Sequence, residues 1–147
     1  DHPPERRLVE RRMRRTQPTW KLFTTGSVGS QMLLGLPTLC RLRRDPRLDT
    51  ARVWPFETGL APPDDALVLA EIYPSLHSRR IAAERRADEV PDAAQVRVTA
   101  AALAERDGKG RLGRLFAGAP DLGTTDRRIV AAEEAWILGV GVPGEAC

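Results

Sequence analysis

Apolar residues recur along the chain in two rhythms. Over 31–42, Met32, Leu33, Leu36, Leu39 and Cys40 fall at helical spacing, which predicts a helix that Pro37 kinks or divides in two. A longer helix is predicted from 88–91 to about 106, with Val96, Ala100 and Leu103 as its buried stripe and Ala93 extending that stripe backwards. Shorter helices are predicted near 111–116 and 125–138. A basic helix over 4–15, with Leu8 and Met13 on its apolar side, is stopped by Pro18. Two stretches have strand character: 52–57, and the more apolar 66–73. Thr58-Gly59 and Pro62-Pro63-Asp64-Asp65 form the loop between them, and 76–86 is a polar connection.

This mixture predicts an α/β domain, but two strands are too few for a complete layer covered on both faces. The expectation is therefore the C-terminal part of one α/β domain over 20–140, with preceding strands in a larger protein. A basic lead-in over 1–19 and a tail over 141–147 complete the organisation. Eight residues, 58–65, separate the two strands, fewer than a parallel crossover needs, so the pair is predicted to be antiparallel. Glu57 and Glu71 would then lie about 17 Å apart along the strands, too far to share one metal.

At 147 residues and 41% hydrophobic content, the chain can bury the core of one domain. No apolar run approaches the ~20 residues of a membrane span, and no segment has the order of a signal peptide. Membrane partners are thus not expected. Cys40 and Cys147 make neither a disulfide framework nor a zinc site, which points to a cytoplasmic setting. Residues 1–52 hold twelve Lys and Arg against five Asp and Glu, whereas 53–147 hold eleven against fifteen. The run Arg6-Arg7, Arg11-Arg12 and Arg14-Arg15 suits nucleic-acid phosphates or, more commonly, a solvated helix face.

Three segments carry candidate chemistry. In the turn 24–30, the amides around Gly26, Ser27, Gly29 and Ser30 can hold a phosphate or carboxylate. A plain turn capped by Ser27 or Ser30 explains the same residues. Glu71 interrupts an apolar strand, where a carboxylate requires a counter-charge, a metal or a solvent-facing position. Asp88 and Asp92 stand where the long helix begins, which suits a divalent cation or simply the helix dipole. His2 and the Ser75/His77 pair have no elbow or orienting acid and do not form a triad motif.

Taken in order, Glu71-Ile72-Tyr73-Pro74 ending a strand and the acid-rich 88–94 opening a helix resemble the C-terminal half of a family of uncharacterised bacterial predicted nucleases with a ribonuclease-H-like fold. Trp20-Lys21-Leu22-Phe23, the turn 26–31 and Trp54-Pro55-Phe56-Glu57-Thr58-Gly59 add to the likeness, which covers about 20–140. The resemblance implies a ribonuclease-H-like sheet flanked by helices. It further implies Mg or Mn held by Glu71 and Asp92, assisted by Asp88 or Glu89, for phosphodiester hydrolysis. Glu71 and Asp92 would be the catalytic carboxylates, and the Asp that such folds carry on their first strand has no counterpart here. The alternative is a noncatalytic binding or accessory domain, in which the Gly26–Gly29 turn and the Arg-rich start contact an anionic ligand or a protein partner. The expected partner of an incomplete sheet is a second copy of the chain or a preceding segment of the same protein.

Overall fold

The structure is a computed structural model that describes residues 4–13, 16–64 and 67–144. Of the residues singled out above, His2, Arg14, Arg15, Asp65, Ala66 and Cys147 lie outside the described residues.

Helix α1 (Leu8–Arg12) is short and begins after Arg7, whose backbone N–H donates to the Glu10 carboxylate at 3.1 Å. After the loop 16–28 comes α2 (Gly29–Arg44), which stays one continuous helix across Pro37. A 3-10 turn (Pro46–Leu48) leads into β1 (Arg52–Val53), and β2 (Val68–Leu69) follows a looping connection. A second 3-10 turn (Pro74–His77) and α3 (Ser78–Glu84) precede α4 (Pro91–Gly108). The chain closes with a 3-10 turn (Leu112–Ala117) and α5 (Thr124–Ile129), which continues as a π-helical turn (Val130–Glu134). No helix among the described residues is long and apolar enough to cross a membrane.

The sheet differs from the expectation. Helices hold 51% of the described residues, and β1 and β2 form a two-stranded parallel pair, Arg52 opposite Val68 and Val53 opposite Leu69. A single parallel bridge between Glu71 and Ile137 extends it. A ribonuclease-H-like sheet flanked by helices is therefore not what the described chain forms. The first predicted strand shrinks because of proline. Pro55 has no N–H for a ladder, and 53–59 instead turns through Glu57 N to Val53 O (2.8 Å) and Gly59 N to Pro55 O (2.8 Å). Once β1 stops at Val53 the connection to β2 is 54–67, fourteen residues, which suffices for a parallel crossover and removes the reason for an antiparallel pair.

Helix α4 forms as predicted but presents the opposite side. Ala94, Val98, Thr99 and Ala102 are buried, whereas Val96 is 69% exposed, Ala100 is exposed and Leu103 is half-buried. The true stripe is displaced by two residues, about 200° around the helix. Small Ala94 and Ala102 let α4 lie close to α3 and the two 3-10 turns that contact it.

The core gathers on the C-terminal third. Leu115, Phe116, Ala119, Leu122, Val130, Trp136, Ile137, Leu138 and Val140 enclose Trp54 and Val9. The Trp54 indole N–H donates to Phe116 O at 3.2 Å, and the two rings meet edge to face at 5.7 Å. The predicted helix over 125–138 ends at Glu134, and 136–142 turns inward through Gly139 and Gly141 at positive φ. A Cβ on Gly141 would lie 2.5 Å from the Ala119 Cβ, so glycine is required there by both backbone and space.

Candidate functional site

Arg7 is the centre of the most connected polar cluster. Its side chain is 7% exposed, and four of its five guanidinium N–H groups are engaged. Nε donates to Glu10 Oε1 at 2.7 Å, and Nη1 and Nη2 grip both Glu71 oxygens at 2.8 and 2.9 Å. Nη1 also donates to Glu134 O at 3.1 Å. Burial works against the Arg7 charge, but the hydrogen bonds and charges of Glu71 and Glu10 outweigh it and hold its pKa above the ordinary value. Glu10 is buried and accepts as well from the Thr19 N–H at 3.1 Å.

Local backbone geometry delivers these partners. The π-helical turn closes with Ala135 N to Val130 O at 3.0 Å and leaves Ala135 at φ 62°. That geometry aims the Glu134 carbonyl at Arg7 and the Glu134 carboxylate at the Leu8 N–H (2.6 Å). Two residues on, Ile137 reaches Glu71, and Leu138 N donates to Glu71 O at 2.9 Å. Glu71 thus lies beyond the carboxyl end of β2, where ligands of parallel sheets commonly bind.

A cavity of about 640 Å³ opens at this place. Arg7 and Glu10 of α1, Thr16, Gln17 and Thr19, then Gly26, Val28, Gln31 and Met32, and finally Glu71, Tyr73 and Ile137 line it. Two segments singled out in the sequence, the Gly26 turn and Glu71, therefore share one cavity with the Arg-rich start. The two non-glycine residues at positive φ among those described, Thr24 and Ala135, each lie two residues from a lining residue, so local strain gathers there.

The other expected site residues are placed as follows. Ser27 donates its hydroxyl to Leu22 O at 3.2 Å, and Ser30 is exposed. Val28, without a side-chain cap bond, stands at the α2 N-cap in place of either serine. Gly29 is buried, and a Cβ there would meet the Thr19 and Lys21 carbonyls at 2.7 and 2.8 Å, so its role is close packing. Asp92 is exposed in the first turn of α4, Asp88 is exposed just before it, and neither lines the Arg7–Glu71 cavity. Glu89 is gripped by Arg97 through two contacts of 2.8 Å, which hold its pKa down to about 2. Glu57 is held by Arg43 at 2.6 Å and accepts from the Val53 N–H at 2.6 Å. Ser75 and His77 share a 3-10 turn, where burial and then the Arg106 and Arg80 charges push the imidazole pKa down.

Among the described residues, no group of three His, Cys, Asp or Glu side chains is arranged to hold a metal. Among the described residues of the basic run, Arg7 and Arg12 are ion-paired, whereas Arg6 and Arg11 bond to carbonyl oxygens. Arg6 donates to Thr16 O, Arg11 to Arg6 O, and Arg12 pairs with Asp121 at 2.8 Å while lying over the Trp136 ring. Arg7 stood out in the sequence only as part of the basic run, and Glu10 and Glu134 did not stand out at all. The opposite charges of Arg7 and Glu10, three residues apart at a helix start, were the available signal for the first two. Comparison of the chain with protein-family models, with curated proteins and with solved structures returned no match.

Proposed function

We propose that this chain is a noncatalytic binding domain whose ligand carries a cationic group into the cavity beside Glu71. The asymmetry of the Arg7–Glu71 pair carries this reading: the Arg7 side chain is 7% exposed and that of Glu71 is 40% exposed. The guanidinium is committed to Glu10, Glu71 and Glu134 and has little left to offer an anion. Each carboxylate oxygen of Glu71 keeps a lone pair for a second donor, and Gln17 and Gln31 add neutral hydrogen-bonding groups to the wall. The ligand class is therefore an organic cation, an amine or guanidinium, or a basic side chain of a protein partner.

A metal-dependent nuclease is the second reading, favoured by the place of Glu71 at the carboxyl end of the parallel strands. The carboxylates do not fit Mg or Mn as they stand. Arg7 holds Glu71, Arg97 holds Glu89, and Asp88 and Asp92 stand outside the cavity.

Amide-resolved NMR titration of the chain separates the two. Agmatine should give saturable shifts at Tyr73, Gln31 and Ile137 that Glu71→Gln abolishes. A saturable Mn²⁺ effect at Glu71 that Asp92→Asn removes would move the chain to the nuclease reading. Absence of a saturable response to either probe would dispose of the cavity as a ligand site.

A further inference from the structure

Helix α2 and the loop before it carry most of the exposed large apolar side chains. Phe23 is 80% exposed, Leu34 is 78% exposed, and Trp20, Leu22, Leu33, Leu36 and Leu42 are exposed beside them. Only Gly29 of the helix is fully buried, and monomeric proteins rarely leave a helix so bare. A second exposed apolar face lies on α4, where Val96 shares one side of the helix with Ala100 and Leu103. Leu103 opens into a cavity of about 480 Å³ lined also by Leu67, Ile72, Leu112 and Phe116.

We propose that α2 of one molecule docks on the α4 face of a second copy of this chain. Charge and length favour that occupant. Helix α2 contains no acidic residue. Its last turn carries Arg41 and Arg44 in addition to Arg43, which Glu57 uses, and its first turn has the positive end of the helix dipole. The α4 face has the opposite pattern. Asp92 lies one turn before Val96 and Asp107 one turn after Leu103, and neither forms an ion pair among the described residues. Fifteen residues of rise separate these acids, about 22 Å, and the sixteen residues of α2 span about 24 Å. A helix positive at both ends and apolar between them thus matches a face acidic at both ends and apolar between them. The contact is heterologous, since each copy offers one helix and one face.

The test is complementation followed by light scattering coupled to gel filtration, from micromolar to millimolar protein. Leu34→Glu breaks the helix side and Val96→Glu the face side. Both positions are exposed, so circular dichroism should show the folded chain in each, and neither lines the Arg7–Glu71 cavity. The parent chain should self-associate, each variant alone should be monomeric, and an equimolar mixture should recover a 1:1 dimer through its one intact contact. Asp92→Asn with Asp107→Asn should weaken parental association roughly tenfold. A parent that stays monomeric throughout would overturn the proposal and leave α2 to fold back on its own chain or to meet a different protein. Loss of association in Leu34→Glu but not in Val96→Glu would overturn it in favour of α2 pairing with α2.

Discussion

Replacing Arg7 by Met removes the cation from a cluster that is anionic without it. The Glu10 side chain is 2% exposed and would be left with only the residue-7 and Thr19 backbone N–H groups as donors. Removing one partner of such a buried pair costs about 3–5 kcal/mol, a large part of the ~5–15 kcal/mol available to a small domain. Glu71 suffers less, because its exposed carboxylate can return to water. Glu71→Gln, which leaves the Arg7–Glu10 contact intact, should therefore cost about 1 kcal/mol. The double variant Arg7→Met/Glu10→Met removes both charges but leaves the backbone N–H groups of residue 7 and Thr19 without an acceptor, at about 1–3 kcal/mol each. Urea unfolding followed by tryptophan fluorescence should rank Glu71→Gln milder than both Arg7→Met and the double variant. If Arg7→Met unfolds within about 1 kcal/mol of the parent, the cluster does not anchor α1.

Three further outcomes follow from particular residues. Thr99 has the one buried side-chain oxygen without a hydrogen-bond partner among the described residues, so Thr99→Val should raise stability by about 1 kcal/mol in urea unfolding. Gly141→Ala combines a φ of 78° with the Ala119 clash and should cost about 2–4 kcal/mol, read as a lowered thermal midpoint. The Glu89 carboxyl should titrate near pH 2 by NMR, and Arg97→Gln should return it towards 4.5. Because its folded pKa is the depressed one, the pair's contribution to stability is fully present above pH 4.5 and is lost as pH falls towards 2.

The long helix was legible and its buried side was not, for one reason. Ala93, Ala94, Val96, Val98, Ala100, Ala101, Ala102 and Leu103 surround α4 with apolar positions, so a 3.6-residue period fits two opposite stripes equally well. The larger side chains, Val96 and Leu103, suggested one stripe, while close approach to α3 selects the smaller residues of the other. The first strand was overextended because its apolar pattern continues through Trp54, where Pro55 already breaks the ladder, whereas the second ends at Leu69, five residues before Pro74. The antiparallel expectation has the same cause, because strands of the longer extent leave only eight residues between them where the chain has fourteen.

The candidate site shows what sequence reasoning can and cannot reach. A carboxylate after an apolar strand needs a counter-charge, a metal or solvent, and that requirement was visible at Glu71 from its neighbours alone. Which alternative satisfies it depends on a residue 64 positions away, and nothing local to Glu71 identifies Arg7. The Glu10 carboxylate holds the Arg7 N–H at the start of α1, but the shared burial of the two residues depends on Glu134, 127 residues from Arg7. A guanidinium then does at Glu71 what a metal was expected to do: it neutralises the carboxylate through two short contacts. It differs in leaving that carboxylate's outer edge to whatever enters the cavity.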